Sequence, residues 1–446
     1  MVKNIPREVL YVMQQFNINN HQAYLVGGCV RDMLLNKQPK DFDICTSAYP
    51  HEVKLLFEHV ILTGEKHGTV TVIINHYPIE VTTMRNDGAY KDNRHPEYVD
   101  FTDNLFEDLS RRDFTINAIA VDINNNMYDY YHGQDDLYSG IIKAVGDVNL
   151  RFNEDALRMM RCIRFACQLD FKIENQTIEA ITNNRYLLLN VAIERIREEL
   201  NKILISNKPS YGIRMLYKVG LLELILPELY KCIGFDQYNP HHNKNVFDHI
   251  MSVLDNIPDD LILKLSALLH DVGKPQTFTI DEQGKGHFYS HHMRGADITE
   301  EILQRMKYDN RTIDTVKLLV KEHMSRYDFL RNASIKKFIN RIGIDNLEYL
   351  FELQIADIKG SKEPHNFDNI LKLKELVQEV LNKKEPLTVK DLNINGNDLI
   401  KLGIKPSKEM GNILNKLLET VLENPELNNK VVLLELVKNL QLQMPI

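Results

Sequence analysis

Two carboxylates one residue apart, Asp41 and Asp43, sit in the short apolar run Asp41-Phe42-Asp43-Ile44-Cys45. In an extended strand, side chains two apart leave the same face, so this run predicts two acid groups projecting together, about 6–7 Å apart at their Cα atoms. Unpaired carboxylates at that spacing are poor packing material. They suit a divalent cation, and two such cations can clamp a transferring phosphoryl group. Just upstream, Gly27-Gly28-Cys29-Val30-Arg31-Asp32 sets a glycine turn before an apolar helix. Backbone N–H groups at a helix start attract phosphate, and Arg31 can grip it. Taken singly, Arg31–Asp32 reads as a surface ion pair and Asp41–Asp43 as a solvated strand end. Taken together, with Gly28 at the turn, they read as a phosphate cradle with a metal site beyond it.

A second constellation is Glu154-Asp155-Ala156-Leu157-Arg158-Met159-Met160-Arg161, continued by Arg164. On a helix, Asp155 and Arg158 are i,i+3 neighbours. A carboxylate only accepts hydrogen bonds and a guanidinium only donates them. Side by side they match an edge that carries an amino donor next to a bare ring nitrogen. Cytosine and adenine present that order; guanine and uracil present a carbonyl beside an N–H and would be rejected. The competing reading is an ordinary helix ion pair, with Glu154 and Asp155 serving the macrodipole. Arg161 and Arg164 wind around from the same side and suit triphosphate or primer-end contacts. Glu80, in Ile79-Glu80-Val81, falls on a neighbouring predicted strand, either as a third acid near the metals or as an exposed strand residue.

The elements that must position these groups follow from periodicity. The first ~145 residues mix short strand-like runs with helices. Val70–Ile74 and Ile79–Thr83 alternate as strands around a turn at Asn75–Pro78, and Ile116–Ile123 reads as a buried strand closed by Asn124-Asn125-Asn126. Asn86–Pro96, polar with a glycine and a proline, reads as a loop. After about residue 150 the strand signal vanishes and apolar residues recur at helical spacing. Pro240–Asn245, Ile257–Asp260 and Lys383–Pro386 punctuate these helices.

The chain of 446 residues, 43% hydrophobic and 26% charged, has material for several cores. Its net charge of −8 argues against indiscriminate coating of nucleic acid. Residues 151–220 nevertheless hold 12 Lys/Arg against 8 Asp/Glu, a local basic excess. The five cysteines are scattered without metal-ligand spacing, no apolar run approaches membrane-spanning length, and the first residues carry no signal-peptide pattern. A cytoplasmic protein with no membrane partner is expected.

Gly27-Gly28-x-Val30-Arg31-Asp32 with Asp41-x-Asp43 resembles the head of the class II tRNA nucleotidyltransferases, the CCA-adding enzymes related to bacterial poly(A) polymerases. Three further strings match in the order of that family. Arg111-Arg112-Asp113-Phe114-Thr115-Ile116-Asn117-Ala118 is similar to its sugar- and phosphate-binding motif, Glu154–Arg161 to its base-selecting helix, and Asp391-Leu392-x-Ile394-x-Gly396-x-Asp398-Leu399 to its tail. The resemblance implies an α+β fold class. A polymerase β-like nucleotidyltransferase head, a mixed sheet with helices, spans 1–145; an all-α neck follows over 146–235, an HD-like body over 236–360 and a tail over 361–446. It implies template-independent addition of CCA to the 3′ end of tRNA from CTP and ATP, with Mg²⁺ on Asp41 and Asp43 and pyrophosphate released. Nucleotide contacts fall to Gly28, Arg31, Arg112, Asp113, Asp155, Arg158, Arg161 and Arg164, and tRNA is gripped at its 3′ end and acceptor stem. Asp92-Asn93-Arg94-His95-Pro96 looks like the stretch kept by family members that complete the terminal A. An A-adding enzyme or a poly(A) polymerase of the same family is the alternative.

His249, His270-Asp271, His291, His292, His323 and Asp357 fall in the order of an HD metal-dependent phosphohydrolase. Adjacent His270 and Asp271 can bind one metal through nitrogen and oxygen, the later residues completing a mono- or binuclear site for a divalent transition metal. Such a site is either hydrolytic, even the main activity, or a vestigial scaffold that supports the tRNA.

Overall fold

The computed structural model describes residues 5–64, 68–87, 99–236, 244–325 and 332–442. It divides into two units, Met1–Tyr230 and Lys231–Ile446. The first is built on nine strands: β1 (Ala23–Val26), β2 (Asp43–Thr46), β3 (Val60–Gly64), β4 (Thr69–Ile74), β5 (Tyr77–Thr83), β6 (Arg85–Asp87), β7 (Val99–Phe101), β8 (Ala120–Val121) and β9 (Met127–Tyr128). Seven of them form one mixed sheet in the order β3-β4-β5-β2-β1-β8-β9. Only β2 and β5 run parallel; β6 and β7 pair separately. The β4–β5 hairpin turns on Asn75 and His76, both at positive φ (51° and 65°), the two-residue geometry that matches strand twist.

Helix α1 (Arg7–Ile18) buries Val9, Val12, Met13 and Phe16, spaced so that one stripe faces the sheet. These side chains pack with Leu25, Ile44, Val70, Val72, Ile79 and Val81 from alternate strand positions. The head continues with α2 (Gly28–Leu34), α3 (Pro50–Leu56), α4 (Leu105–Ser110) and α5 (Gly133–Ser139). Seven further α-helices and a second short strand pair follow among the described residues of this unit: α6 (Val148–Glu154), α7 (Leu157–Leu169), α8 (Asn175–Asn184), α9 (Ile193–Leu204), α10 (Pro209–Lys218), α11 (Leu222–Ile225), α12 (Pro227–Tyr230), and β10 (Ile141–Ile142) with β11 (Lys172–Ile173).

Among its described residues the second unit is helical apart from one hairpin, β12 (Phe278–Ile280) with β13 (Gly286–Phe288). Its first helices are α13 (Val246–Asn256), α14 (Leu261–Leu269), α15 (Lys274–Thr277), α16 (His291–Arg305), α17 (Asn310–Glu322), α18 (Asn332–Ile342) and α19 (Leu347–Gly360). Helices α20 (Asp368–Asn382), α21 (Gly396–Lys401), α22 (Lys408–Glu423) and α23 (Lys430–Leu442) follow. Helix α13 packs on α14 and α19, and α16 on α17.

Several expectations from the sequence change here. Asp41 is not in the strand: β2 starts at Asp43, and Asp41 lies exposed in the bend before it. Ile116–Ile123 is buried over most of its length but is a strand only at Ala120–Val121. Thr115–Asn117 instead winds into a 3₁₀ turn, because Asp113 Oδ1 takes the Phe114 N–H at 2.8 Å and the Asn117 amide at 3.1 Å. Strands also persist beyond residue 150, as β11, β12 and β13. The expected loop Asn86–Pro96 begins within β6, and its Asp92–Pro96 stretch lies outside the described residues, as does Pro240.

Candidate active site

The parallel pairing of β2 with β5 puts Asp43 directly beside Glu80, and the Glu80 N–H still reaches the Phe42 carbonyl at 3.3 Å. Side chains of registered neighbours share a face, so Glu80 joins Asp43 rather than pointing away. Asp43 therefore carries its charge among acids. Burial, with Glu80 and Asp41 nearby, pushes its carboxyl up to about 6, and Arg112 only partly offsets them. The glycine turn closes on the same spot. Gly27 has φ +76°, and a β-carbon there would sit 3.5 Å from Asp43 Oδ2 and 3.3 Å from Arg112 Nη1. Only glycine meets both demands, positive φ and close approach, without strain.

Arg112 is aimed by a residue that sequence reasoning missed. Asp108 in α4, its side chain wholly buried, accepts from Arg112 Nη2 at 3.0 Å and from Arg111 Nη2 at 2.6 Å, and the Arg85 N–H points at it from 3.4 Å. The signal was present as an acid three and four residues before a pair of arginines.

A second set of predicted residues converges around one ring. Arg164 stacks on Phe165 at 3.9 Å, with Arg31 at 5.2 Å and Arg161 at 5.5 Å from the same centroid. These three guanidiniums come from α2 and α7, and each is held by a polar partner. Arg31 bonds Asp32 Oδ1 (2.7 Å) and Asn117 Oδ1 (2.9 Å); the local ion pair exists, but as part of this platform. Arg161 bonds Asp113 Oδ2 at 2.5 Å, and Arg164 pairs with Glu199 of α9 at 2.6 Å. Despite burial, Arg161 and Asn117 hold the Asp113 carboxyl well below the usual carboxylate range. Gly28, the first residue of α2, approaches Arg31: its β-carbon position lies 3.6 Å from Nη2. The result is a cationic platform suited to phosphates.

The base-reading pair differs from the helical picture. Asp155 lies in a break between α6 and α7, with extended backbone (φ −137°, ψ 102°), and Arg158 N still donates to its carbonyl at 3.0 Å. The two side chains engage different groups. Asp155 takes a two-pronged contact from Arg195, Nη2 to Oδ2 at 2.9 Å and Nη1 to Oδ1 at 3.3 Å. Arg158 donates to Glu154 Oε2 (2.6 Å) and to the carbonyls of Arg151 (3.1 Å) and Arg111 (2.7 Å). Each acid thus has its own arginines, Asp155 held by Arg195 and Glu154 by Arg151 and Arg158.

In the second unit, four of the predicted histidines, His249, His270, His291 and His323, meet one buried acid, Asp271, and Asp357 joins them through His249; only His292 stays at the edge, ring-to-edge against His291 at 5.9 Å. The contacts run from His270 Nε2 to Asp271 Oδ2 (3.2 Å) and to His249 Nε2 (3.3 Å), from His249 Nε2 to Asp357 Oδ1 (3.0 Å), and from His291 Nε2 (3.4 Å) and His323 Nε2 (3.9 Å) to Asp271 Oδ1. Gly273 lets the turn after Asp271 lie against α16: a β-carbon there would come 2.3 Å from the His291 carbonyl. His270, His291 and His323 each direct Nδ1 at a backbone carbonyl three residues back, at 2.8, 2.8 and 2.6 Å. A carbonyl only accepts, so each Nδ1 carries a proton; burial lowers His291 and His323, whose Nε2 lone pairs then face inward, whereas Asp271 and Asp357 hold His270 above the usual imidazole range despite its burial. Burial, and His270 beside it, push His323 down to about 3, so its imidazole is neutral at ordinary pH. His291 Nε2 is buried without a hydrogen-bond partner. Lone pairs aimed at carboxylate oxygens call for a cation, and backbone-anchored imidazoles are how proteins present metal ligands. Among the described residues, the only sets of three donors within 4.8 Å of one another are His249/His270/Asp271 and Asp271/His291/His323. Lys274 Nζ, 2.7 Å from Asp271 Oδ2, supplies positive charge there.

Three family models match the chain: the poly A polymerase head domain over residues 23–143, the "Probable RNA and SrmB- binding site of polymerase A" over 170–232, and tRNA nucleotidyltransferase domain 2 over 288–437. The CCA-adding enzyme of Ligilactobacillus salivarius is 36% identical over 453 aligned residues, covering 99% of this chain and 98% of that protein. That of Lactobacillus delbrueckii is 35% identical, covering 96% of both. The crystal structure of the Bacillus stearothermophilus CCA-adding enzyme in complex with CTP superposes with a TM-score of 0.72 at 26% identity, over 98% of this chain and 99% of that one. The mixed-sheet head, the glycine turn on Asp43 and full-length likeness at this level lead to one conclusion: the chain belongs to the family of CCA-adding tRNA nucleotidyltransferases.

Proposed function

We infer that this chain builds the CCA end of tRNA, joining CMP and AMP units from CTP and ATP to the tRNA 3′-hydroxyl without a template and releasing pyrophosphate. The observation that carries this reading is the registry of Asp43 with Glu80 beside Gly27 and Arg112. The family uses a divalent metal, and we take it to be Mg²⁺ held by Asp41 and Asp43, with Glu80 as the third acid. An oxygen-only donor set fits a hard cation, and Mg²⁺ commonly takes one or two carboxylates plus substrate phosphates. Bound there, it would polarise the α-phosphate and neutralise charge on the leaving group. The protein's own part is to position and to neutralise. Arg31, Arg161 and Arg164 around Phe165 receive the triphosphate, Arg112 and Asp113 set its sugar and phosphates, and Asp155 with Arg158 reads the base edge. Residues 1–145 act as head, 146–235 as neck, 236–360 as HD-like body and 361–446 as tail. Among the described residues no helix is long and apolar enough to cross a membrane, and the five cysteines are buried and free. A reducing cytoplasm suits such thiols.

The test uses tRNA transcripts lacking their last three nucleotides, with each triphosphate alone and CTP plus ATP together. One triplet followed by arrest is expected, lost on chelation and restored by Mg²⁺. Long A tails on unrelated RNA would make it a poly(A) polymerase. Extension only of tRNA already ending in CC would make it an A-adding enzyme.

The inward lone pairs of the histidine cluster favour a second reading, a divalent transition metal in an HD-type site with phosphomonoester or phosphodiester hydrolysis. Elemental analysis of the protein reconstituted with Mn²⁺ or Zn²⁺ should find metal that the His270→Ala/Asp271→Ala double variant lacks, while triplet addition continues. Hydrolysis of chromogenic phosphate esters separates an active site from a scaffold. Equal metal content in both proteins would end this reading.

A further inference from the structure

Asp155 has no helix to hold it. Its backbone is extended at the α6–α7 break, so helical geometry does not aim its side chain. Two neighbours do. The Leu157 N–H reaches Oδ1 at 3.1 Å, and Arg195 spans both oxygens at 3.3 and 2.9 Å. An ionised carboxylate offers about four acceptor positions. These bonds take two on Oδ1 and one on Oδ2, which leaves one on Oδ2. The site is not sealed: the two side chains retain 25% (Arg195) and 21% (Asp155) of their exposure, so that last position can meet a ligand. Arg195 stands in the first turn of α9, the helix that also supplies Glu199 to Arg164 and packs along α7. Helix α9 thus carries the supports for both the phosphate platform and the base reader.

We propose that Arg195 is a specificity-determining positioning residue: its guanidinium clamps Asp155 so that one acceptor direction faces the exocyclic amino group shared by cytosine and adenine. The proposal rests on Asp155 reading the base, as inferred above. With the clamp in place, uracil and guanine bring a carbonyl oxygen against that acceptor and are repelled. Without it, the carboxylate turns about its side-chain bonds and can accept from the ring N–H that uracil and guanine carry next to that carbonyl. Discrimination then falls, although no group that touches the base has been changed.

The experiment is steady-state incorporation of CTP, ATP, UTP and GTP by the full-length enzyme on tRNA lacking its terminal nucleotides. Arg195→Met should raise KM for CTP and ATP about 10- to 100-fold, the loss of a charged hydrogen bond, and more than it lowers kcat. Preference for CTP over UTP should fall about 10-fold or more by the same measure. Arg195→Lys keeps the charge but not the fork, so it should recover KM in part and selectivity less. It also serves as the informative variant if Arg195→Met does not fold by thermal melting. Wild-type selectivity in both variants would overturn the clamp, as would a drop in kcat with KM and selectivity unchanged. Asp155→Ala separates the two layers. If it retains selectivity, the base-reading role itself fails; if it loses selectivity while Arg195→Met and Arg195→Lys do not, only the clamp fails.

Discussion

Asp43→Asn is expected to abolish nucleotide addition while making the metal-free protein more stable. Both halves follow from one local arrangement. The Asp43 carboxyl is pushed up to about 6 because it is largely withdrawn from water with Glu80 and Asp41 close by. Its native form therefore holds a proton between its ordinary value of 3.8 and about 6 that the unfolded form has released. By linkage, stability contributed by this group falls as pH rises through that window and stays lost above it. One pKa unit corresponds to about 1.4 kcal/mol, so removing the charge should stabilise the apo protein by about 1–3 kcal/mol at neutral pH. Mg²⁺ reverses the balance for the wild type, because a ligand that binds only the native state stabilises it. Chemistry goes the other way. Losing several kcal/mol of charge stabilisation at the transferring phosphorus slows single turnover about 10³-fold or more. Thermal melting in chelator and in Mg²⁺ from pH 5 to 8, beside single-turnover CTP addition, checks both. A variant that loses activity and also melts lower in chelator would mark Asp43 as a structural acid.

The parts of this site legible in the chain were those encoded by short spacing. Gly27-Gly28 before an apolar helix, Asp-x-Asp before a β-branched run, and Arg31 and the α7 arginines three residues apart need only local periodicity to be recognised. The order of histidines announced the second cluster in the same way. What escaped depended on partners far along the chain. Glu80 was legible as an acid on a neighbouring strand, but its registry with Asp43 comes through a parallel pairing, which no turn between the strands can signal. The break at Asp155 has no glycine or proline to announce it. Nothing in Asn153-Glu154-Asp155-Ala156 forbids a helix; the break appears where Arg195, forty residues on, takes Asp155 while Arg151 and Arg158 take Glu154. The Asp113–Asn117 contacts likewise turned an apolar, strand-like run into a 3₁₀ turn. At Asp155 and at Thr115–Asn117 a polar pairing overrode the local hydrophobic period.

Asp108→Ala should produce the largest stability loss of any single change in the head. Its carboxylate is fully buried and receives Arg111 at 2.6 Å and Arg112 at 3.0 Å, so truncation leaves two guanidiniums without their shared counter-charge. Removing one partner of a buried ion pair costs about 3–5 kcal/mol, against about 1 kcal/mol for an ordinary substitution. The pH dependence carries its own signature. Although burial opposes ionisation, Arg111 and Arg112 hold the Asp108 carboxyl below the usual carboxylate range. The stability it gives is therefore present above the unfolded-state value and lost as pH falls through the lower native one. Replacement should flatten that acid limb as well as lower the plateau, which urea unfolding at pH 7 and at pH 4 would reveal. Asp108→Asn, which keeps the shape and one acceptor, should lose less stability yet still slow addition, because Arg112 Nη1 stands beside the glycine turn on Asp43 and depends on Asp108 for its aim. An Asn variant with full activity would show that Arg112 finds its place without this acid, and that the carboxylate serves the fold alone.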